Sequence, residues 1–140
     1  MDDLYNSDIL TLSSSLRNER LEEPDGTSRK VSKLCGSWLE IDVNMDGNVV
    51  GEAALRVQAC ALGQASAAIL KEKIVGASLP ELIAARDALK AILKSGGHPP
   101  EGRFARLELL KGVSAYPARH TSTLLAFEAA VEAVKRALEK

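Results

Sequence analysis

Apolar residues recur at helical spacing in the first part of the chain and at strand spacing soon after. Tyr5, Ile9, Leu12 and Leu16 fall on one face of a helix over Leu4 to Leu16. The stretch Asn18 to Lys30 is polar and contains Pro24-Asp25-Gly26, which reads as a turn or loop. Trp38 to Asn44 then alternates strictly. Leu39, Ile41 and Val43 point one way and Glu40 and Asp42 the other, as in a half-buried strand. Asp46-Gly47 is a hairpin turn signal, and the return strand runs from Val49 to Ala59 with Leu55, Val57 and Ala59 on one face. A third strand, with weaker alternation, is placed over Ser28 to Leu34, leading into Cys35.

After Cys60 the period changes. Ala61 to Val75 is rich in Ala and other helix formers, with Gly76 as its stop. Ser78-Leu79-Pro80-Glu81 is a capping box for a helix carrying Leu82, Leu89, Ile92 and Leu93, which ends at Gly96-Gly97. His98 to Gly102 is a loop. Phe104, Leu107 and Leu110 suggest a short helix stopped by Gly112. The last helix starts near Thr121, with Leu124, Phe127, Val131, Val134 and Leu138 as its apolar stripe and charges opposite. Glu132 and Arg136 on it are i,i+4 surface partners. Grouped strands followed by grouped helices predict an α+β fold. The expected core is a three-stranded antiparallel sheet with helices packed mainly on one face, forming one domain over residues 1–140.

The chain has 140 residues, 18 Lys and Arg against 19 Asp and Glu, and a formal net charge of −1. This balance argues against a nucleic-acid footprint, which needs a basic face. The acidic start Met1-Asp2-Asp3 lacks the cationic and apolar run of a secretory signal, and no apolar stretch approaches a membrane span. A cytoplasmic location, with no membrane partner, is the expectation. Two cysteines, Cys35 and Cys60, are too few for a disulfide framework and are expected as thiols.

Chemistry concentrates at three places. Cys35 ends a strand and precedes Gly36, which leaves room for another group to approach. Cys60 lies where a strand becomes a helix. If the alternation carries through, it shares a face with Arg56 and Gln58 rather than with Leu55 and Val57. Unpaired N–H groups at the helix start there favour a thiolate, the form that binds soft metals. Both cysteines also fit an inert structural role. His120 stands before the last helix, either as a solvated polar residue or as an imidazole ligand. His98, in a Gly/Pro loop, is expected to be exposed. Asp42 and Asp46 are accounted for by the hairpin, and no hydrolase elbow, phosphate loop or zinc-protease motif occurs.

The layout resembles the IscU/NifU N-terminal-type iron–sulfur cluster scaffolds, including the SufU branch. The resemblance spans nearly the whole chain. It is carried by Tyr5-Asn6 and by Leu34-Cys35-Gly36-Ser37, which is similar to the family's C-G-D site. It continues in Arg56-Val57-Gln58-Ala59-Cys60-Ala61-Leu62-Gly63-Gln64-Ala65-Ser66 at the start of a helix. Gly112-Val113-Ser114-Ala115-Tyr116-Pro117 and Arg119-His120-Thr121-Ser122-Thr123-Leu124 resemble the third site.

In that family three cysteines, helped by an Asp and a neighbouring His or Lys, hold zinc or a nascent cluster. Carried over, Cys35 and Cys60 match the first two cysteines, and His120 precedes the third. Ser37 stands at the Asp position and Thr121 at the third Cys, and the L-P-P-V-K chaperone-binding segment is absent. The resemblance therefore implies a non-enzymatic assembly scaffold or carrier. Cys35, Cys60 and His120 would hold iron, zinc or a labile iron–sulfur cluster, with a cysteine desulfurase as sulfur donor and apo iron–sulfur proteins as acceptors. Hydroxyls are poor ligands for a soft metal, so a second reading stands beside it: a metal-free interaction module that binds or regulates a desulfurase. A third, sulfur transfer through a reactive cysteine, follows the SufU branch.

Overall fold

The computed structural model describes residues 6–33 and 36–139. Leu4 and Tyr5 of the expected first helix, and Leu34 and Cys35 before the second strand, lie outside the described residues. The elements run α1 (Ser7–Ser15), β1 (Gly26–Val31), β2 (Trp38–Asp46), β3 (Val49–Gln58), α2 (Ala61–Lys73) and α3 (Leu79–Ser95). A 3₁₀ segment Gly102–Ala115, a short turn Pro117–Arg119 and α4 (His120–Leu138) complete the order.

The sheet is antiparallel in the order β1-β2-β3. Leu39 pairs with Val57, Ile41 with Leu55 and Val43 with Ala53, so these residues share one face. That face carries the core. α4 packs on β1 and β2, α2 on β3, α1 on α2, and α3 on α4. The expected α+β architecture, with helices on one side of three strands, is what the chain forms.

Local chemistry sets the element ends. The Asn6 side chain caps α1 by accepting from the Ile9 N–H at 3.0 Å, so the helix begins at Ser7. The capping box at Ser78 and Glu81 is formed, and Gly96 ends α3 in the left-handed region. Pro24 and Asp25 lie in the expected loop, but it ends there rather than at Lys30, because β1 begins at Gly26. A side chain there would clash with the Ala133 carbonyl, so glycine lets α4 lie directly on the strand.

The 3₁₀ segment passes through Gly112 to Ala115. Phe104, Leu107, Leu110 and Val113 bury one side of it, and the Phe104 and Phe127 rings meet edge to face at 5.5 Å. α4 keeps its charges on one strip, at Glu128, Glu132, Lys135 and Arg136, and is buried around the rest of its circumference. Leu124, Phe127, Val131 and Val134 are buried as expected, but so are Leu125, Ala126, Ala129, Ala130 and Ala133. Leu138 leaves the stripe, at 42% exposed, because Ala137 takes the contact with Gly26.

The far face of the sheet is not simply solvated. Asp42 and Arg56 are 4% and 5% exposed. The Arg56 guanidinium donates to both Asp42 carboxylate oxygens at 2.9 and 3.0 Å, to Glu40 at 3.1 Å and to the Glu19 carbonyl at 2.8 Å. Asp42 also accepts from the Leu21 N–H and the Thr27 hydroxyl, each at 3.0 Å. The hairpin turn therefore does not account for Asp42. With Arg56 it anchors the extended segment 17–25 across the sheet. Bonds from Arg56 and then Arg29 hold the Glu40 carboxyl below its ordinary range. Burial works to raise Asp42, but the bonds from Arg56, Leu21 and Thr27 outweigh it and hold it low as well.

Both carboxylates bind their protons more weakly folded than unfolded, so the stability they contribute is present above their unfolded values near pH 4 and is lost on further acidification. Urea midpoints measured across pH are expected to fall below about pH 5, less steeply in Asp42→Asn. Asp42→Ala, which strips the buried guanidinium of its main partner, is expected to cost about 3 kcal/mol at neutral pH in the same assay.

Candidate functional site

Three strand ends lie together at one end of the sheet. β2 begins at Trp38, opposite Val31 at the end of β1 and Gln58 at the end of β3. The β1–β2 connection leaves from this end, α2 starts three residues after Gln58, and the contact of Cys60 with Ser122 brings the start of α4 there as well. The connection is closed by the Ser32 N–H donating to the Ser37 carbonyl at 2.8 Å and the Gly36 N–H donating to the Ser32 carbonyl at 2.9 Å. Ser37 is buried.

Cys60 is the N-cap of α2, with extended backbone and no side-chain cap bond of its own. The Gln64 side chain donates to the Ala59 carbonyl at 2.9 Å, and the Gln64 N–H to the Cys60 carbonyl at 3.0 Å, which fixes the turn. The alternation expected to carry Cys60 onto the face of Arg56 and Gln58 stops at Gln58. Cys60 instead packs against the core together with Val57, half-buried as a free thiol. Its Sγ lies 3.7 Å from the Ser122 Oγ in the first turn of α4.

That contact requires α2 and α4 to touch nearly backbone to backbone. Gly63 makes this possible. A Cβ there would sit 2.8 Å from the Ala59 Cβ and 3.3 Å from the Ser122 carbonyl oxygen.

His120 is the first residue of α4 and only 4% exposed, so the solvated alternative does not hold. Its Nε2 faces the Val113 carbonyl at 3.1 Å and the Ser114 carbonyl at 3.3 Å. Carbonyls only accept, so Nε2 carries the proton. In the neutral ring the lone pair is then on Nδ1, which is buried without a hydrogen-bond partner among the described residues. Holding one imidazole nitrogen by a backbone carbonyl and leaving the other bare is how proteins prepare a histidine for a metal.

The other expected positions divide. Thr121, at the third cysteine position, is exposed, and so is His98, as expected. Cys35 lies outside the described residues. Among the described residues no group of three or more His, Cys, Asp or Glu side chains is placed to hold an ion. The residues present still suit a soft metal in kind, with an imidazole nitrogen bare in a buried setting and a half-buried thiol on the adjoining helix start.

The profile of the NifU-like N terminal domain matches residues 4–123. The chain belongs to this family. It is similar to the iron-sulfur cluster assembly scaffold protein IscU of Streptococcus pyogenes, 28% identical over 102 residues, which are 73% of this chain. The match spans 64% of that relative, just under two thirds of its length. The zinc-dependent sulfurtransferase SufU of Bacillus subtilis is 21% identical over 97% of this chain and 92% of its own length. A crystal structure of a nitrogen-fixing NifU-like protein (N-terminal) from Brucella abortus superposes with a TM-score of 0.95 at 44% identity. It covers 99% of this chain and 97% of that one.

In this NifU-like chain the sequence singles out Cys60 and His120 as candidates but not the groups that contact them. The Val113 and Ser114 carbonyls come from a 3₁₀ turn whose geometry no side-chain pattern announces. Ser122 was legible only as a polar residue in a helix start. Gly63→Ala is expected to lower stability by about 1 kcal/mol, because the overlap with Ala59 outweighs the gain in helix propensity. Urea unfolding, with the alkylation rate of Cys60 as a local probe of the loosened contact, checks it.

Proposed function

We propose that the protein is a non-enzymatic iron–sulfur assembly scaffold or carrier that holds iron, zinc or a labile cluster through Cys35, Cys60 and His120. The observation that carries this reading is the buried, partnerless Nδ1 of His120, its other nitrogen already committed to backbone carbonyls. A buried nitrogen lone pair without a partner is costly unless something binds it. The names of the relatives support the class of cargo. Two soft thiolates and one imidazole make a three-ligand set, and zinc or iron asks for a fourth. With hydroxyls at Ser37 and Thr121, the fourth position is left to a thiol, a water or a partner. Such a site gives its cargo up readily, which suits delivery to apo iron–sulfur proteins. The sulfur comes from a cysteine desulfurase, in the cytoplasm.

The second reading, a metal-free module that binds or regulates a desulfurase, is favoured by the exposed hydroxyl of Thr121 where the family has a cysteine. Stoichiometric capture by a desulfurase of protein that purifies without metal would select it.

Anaerobic incubation with ferrous iron, sulfide and a desulfurase is expected to give thiolate-to-iron absorption in the wild type and none in Cys35→Ser/Cys60→Ser. Identical featureless spectra from the two would sink the scaffold reading. His120→Ala is expected to weaken zinc binding by at least about tenfold, read by competition with a chromogenic chelator.

A further inference from the structure

We infer that Ser122 is a positioning residue for the Cys60 sulfur, acting through a buried hydroxyl that holds the sulfur at the start of α2 and donates to it once it is bound. The contact stands on geometry alone, while its use rests on the reading of Cys60 as a sulfur ligand.

Ser122 is 1% exposed, so water does not compete for its hydroxyl. Among the described residues its Oγ has two neighbours within bonding range: the Arg119 carbonyl at 3.2 Å and the Cys60 Sγ at 3.7 Å. A hydroxyl has one proton to give. In the free thiol the chain of donors runs from Cys60 S–H to Ser122 Oγ, and from Ser122 O–H to the Arg119 carbonyl. A sulfur that has exchanged its proton for a metal can only accept, and the Ser122 proton then turns to it.

That turn leaves no acceptor stranded. The Thr123 hydroxyl already donates to the same Arg119 carbonyl at 2.7 Å. Thr123 is itself buried and keeps this bond in either state. The spacing is maintained by the backbone, since Gly63 lets α2 press on the Ser122 carbonyl. A hydrogen bond to a metal-bound thiolate draws charge from the sulfur and moderates the metal–sulfur bond. Ser122 thus shapes how firmly Cys60 holds its cargo without touching the cargo itself.

The S–H stretch of Cys60 reads this contact directly in metal-free protein. In a Cys35→Ser background, where Cys60 is the only thiol, the folded protein is expected to show the lowered frequency of a bonded S–H. Ser122→Ala should move the band to higher wavenumber while circular dichroism stays unchanged. The isosteric pair Ser122→Thr and Ser122→Val repeats the comparison at equal bulk, and the threonine should keep the lowered band that the valine loses. Bands that coincide across hydroxyl-bearing and hydroxyl-free variants would overturn the inference. A cobalt(II) titration of the wild-type chain separates the two readings. Absence of thiolate-to-cobalt absorption there overturns the metal-holding role, and the S–H band decides Ser122 independently.

Discussion

The candidate site depends on two helix starts lying almost backbone to backbone. Gly63 has no side chain, so the first turn of α2 reaches the Ser122 carbonyl on α4, and Cys60 at the tip of α2 is carried to the Ser122 hydroxyl. The same economy of bulk runs along α4, where Ala126, Ala129, Ala130 and Ala133 let the sheet and two other helices close around one helix. Gly26 repeats it on the strand side against Ala133 and Ala137. Small residues at these crossings set the distances at which larger, reactive ones meet.

On that frame the polar groups are arranged rather than merely present. His120 is oriented by carbonyls from the 3₁₀ turn at Val113 and Ser114, which selects its tautomer and aims its lone pair away from them. Ser122 and Thr123 share the Arg119 carbonyl, so one of them is free to serve the Cys60 sulfur. Thr121 between them faces solvent. The helical rotation of about 100° per residue places His120, Thr121 and Ser122 in three different surroundings, with Thr121 at the outward one.

The opposite face of the sheet is secured by charge. Arg56 and Asp42 are buried as a bidentate pair and satisfied further by Glu40, Glu19, Leu21 and Thr27. A pair so fully bonded ties the segment 17–25 to the sheet, and its loss leaves an uncompensated charge rather than a gap. It also braces β3 two residues before the chain turns toward Cys60. The sheet therefore presents the start of α2 from both sides, with apolar packing within and ion pairing without.

Much of this fold was legible from spacing. The alternation Leu39-Ile41-Val43, the capping box at Ser78 and Glu81, and the helical runs after Cys60 are local patterns, and local patterns are written in residue order. The order of the two cysteines and His120 pointed to the family for the same reason. What sequence alone did not reach are the pairings between distant positions. Asp42 read as a turn residue because its partner Arg56 lies on another strand. Cys60 read as facing Arg56 because alternation does not say where a strand stops. Leu138 read as core because a stripe assumes one neighbour, while α4 has several. The types and order of the reactive groups were set by the sequence. Which nitrogen of His120 is bare, and which hydroxyl meets the sulfur, were decided by helix crossings and a 3₁₀ turn that exist only once the chain has packed.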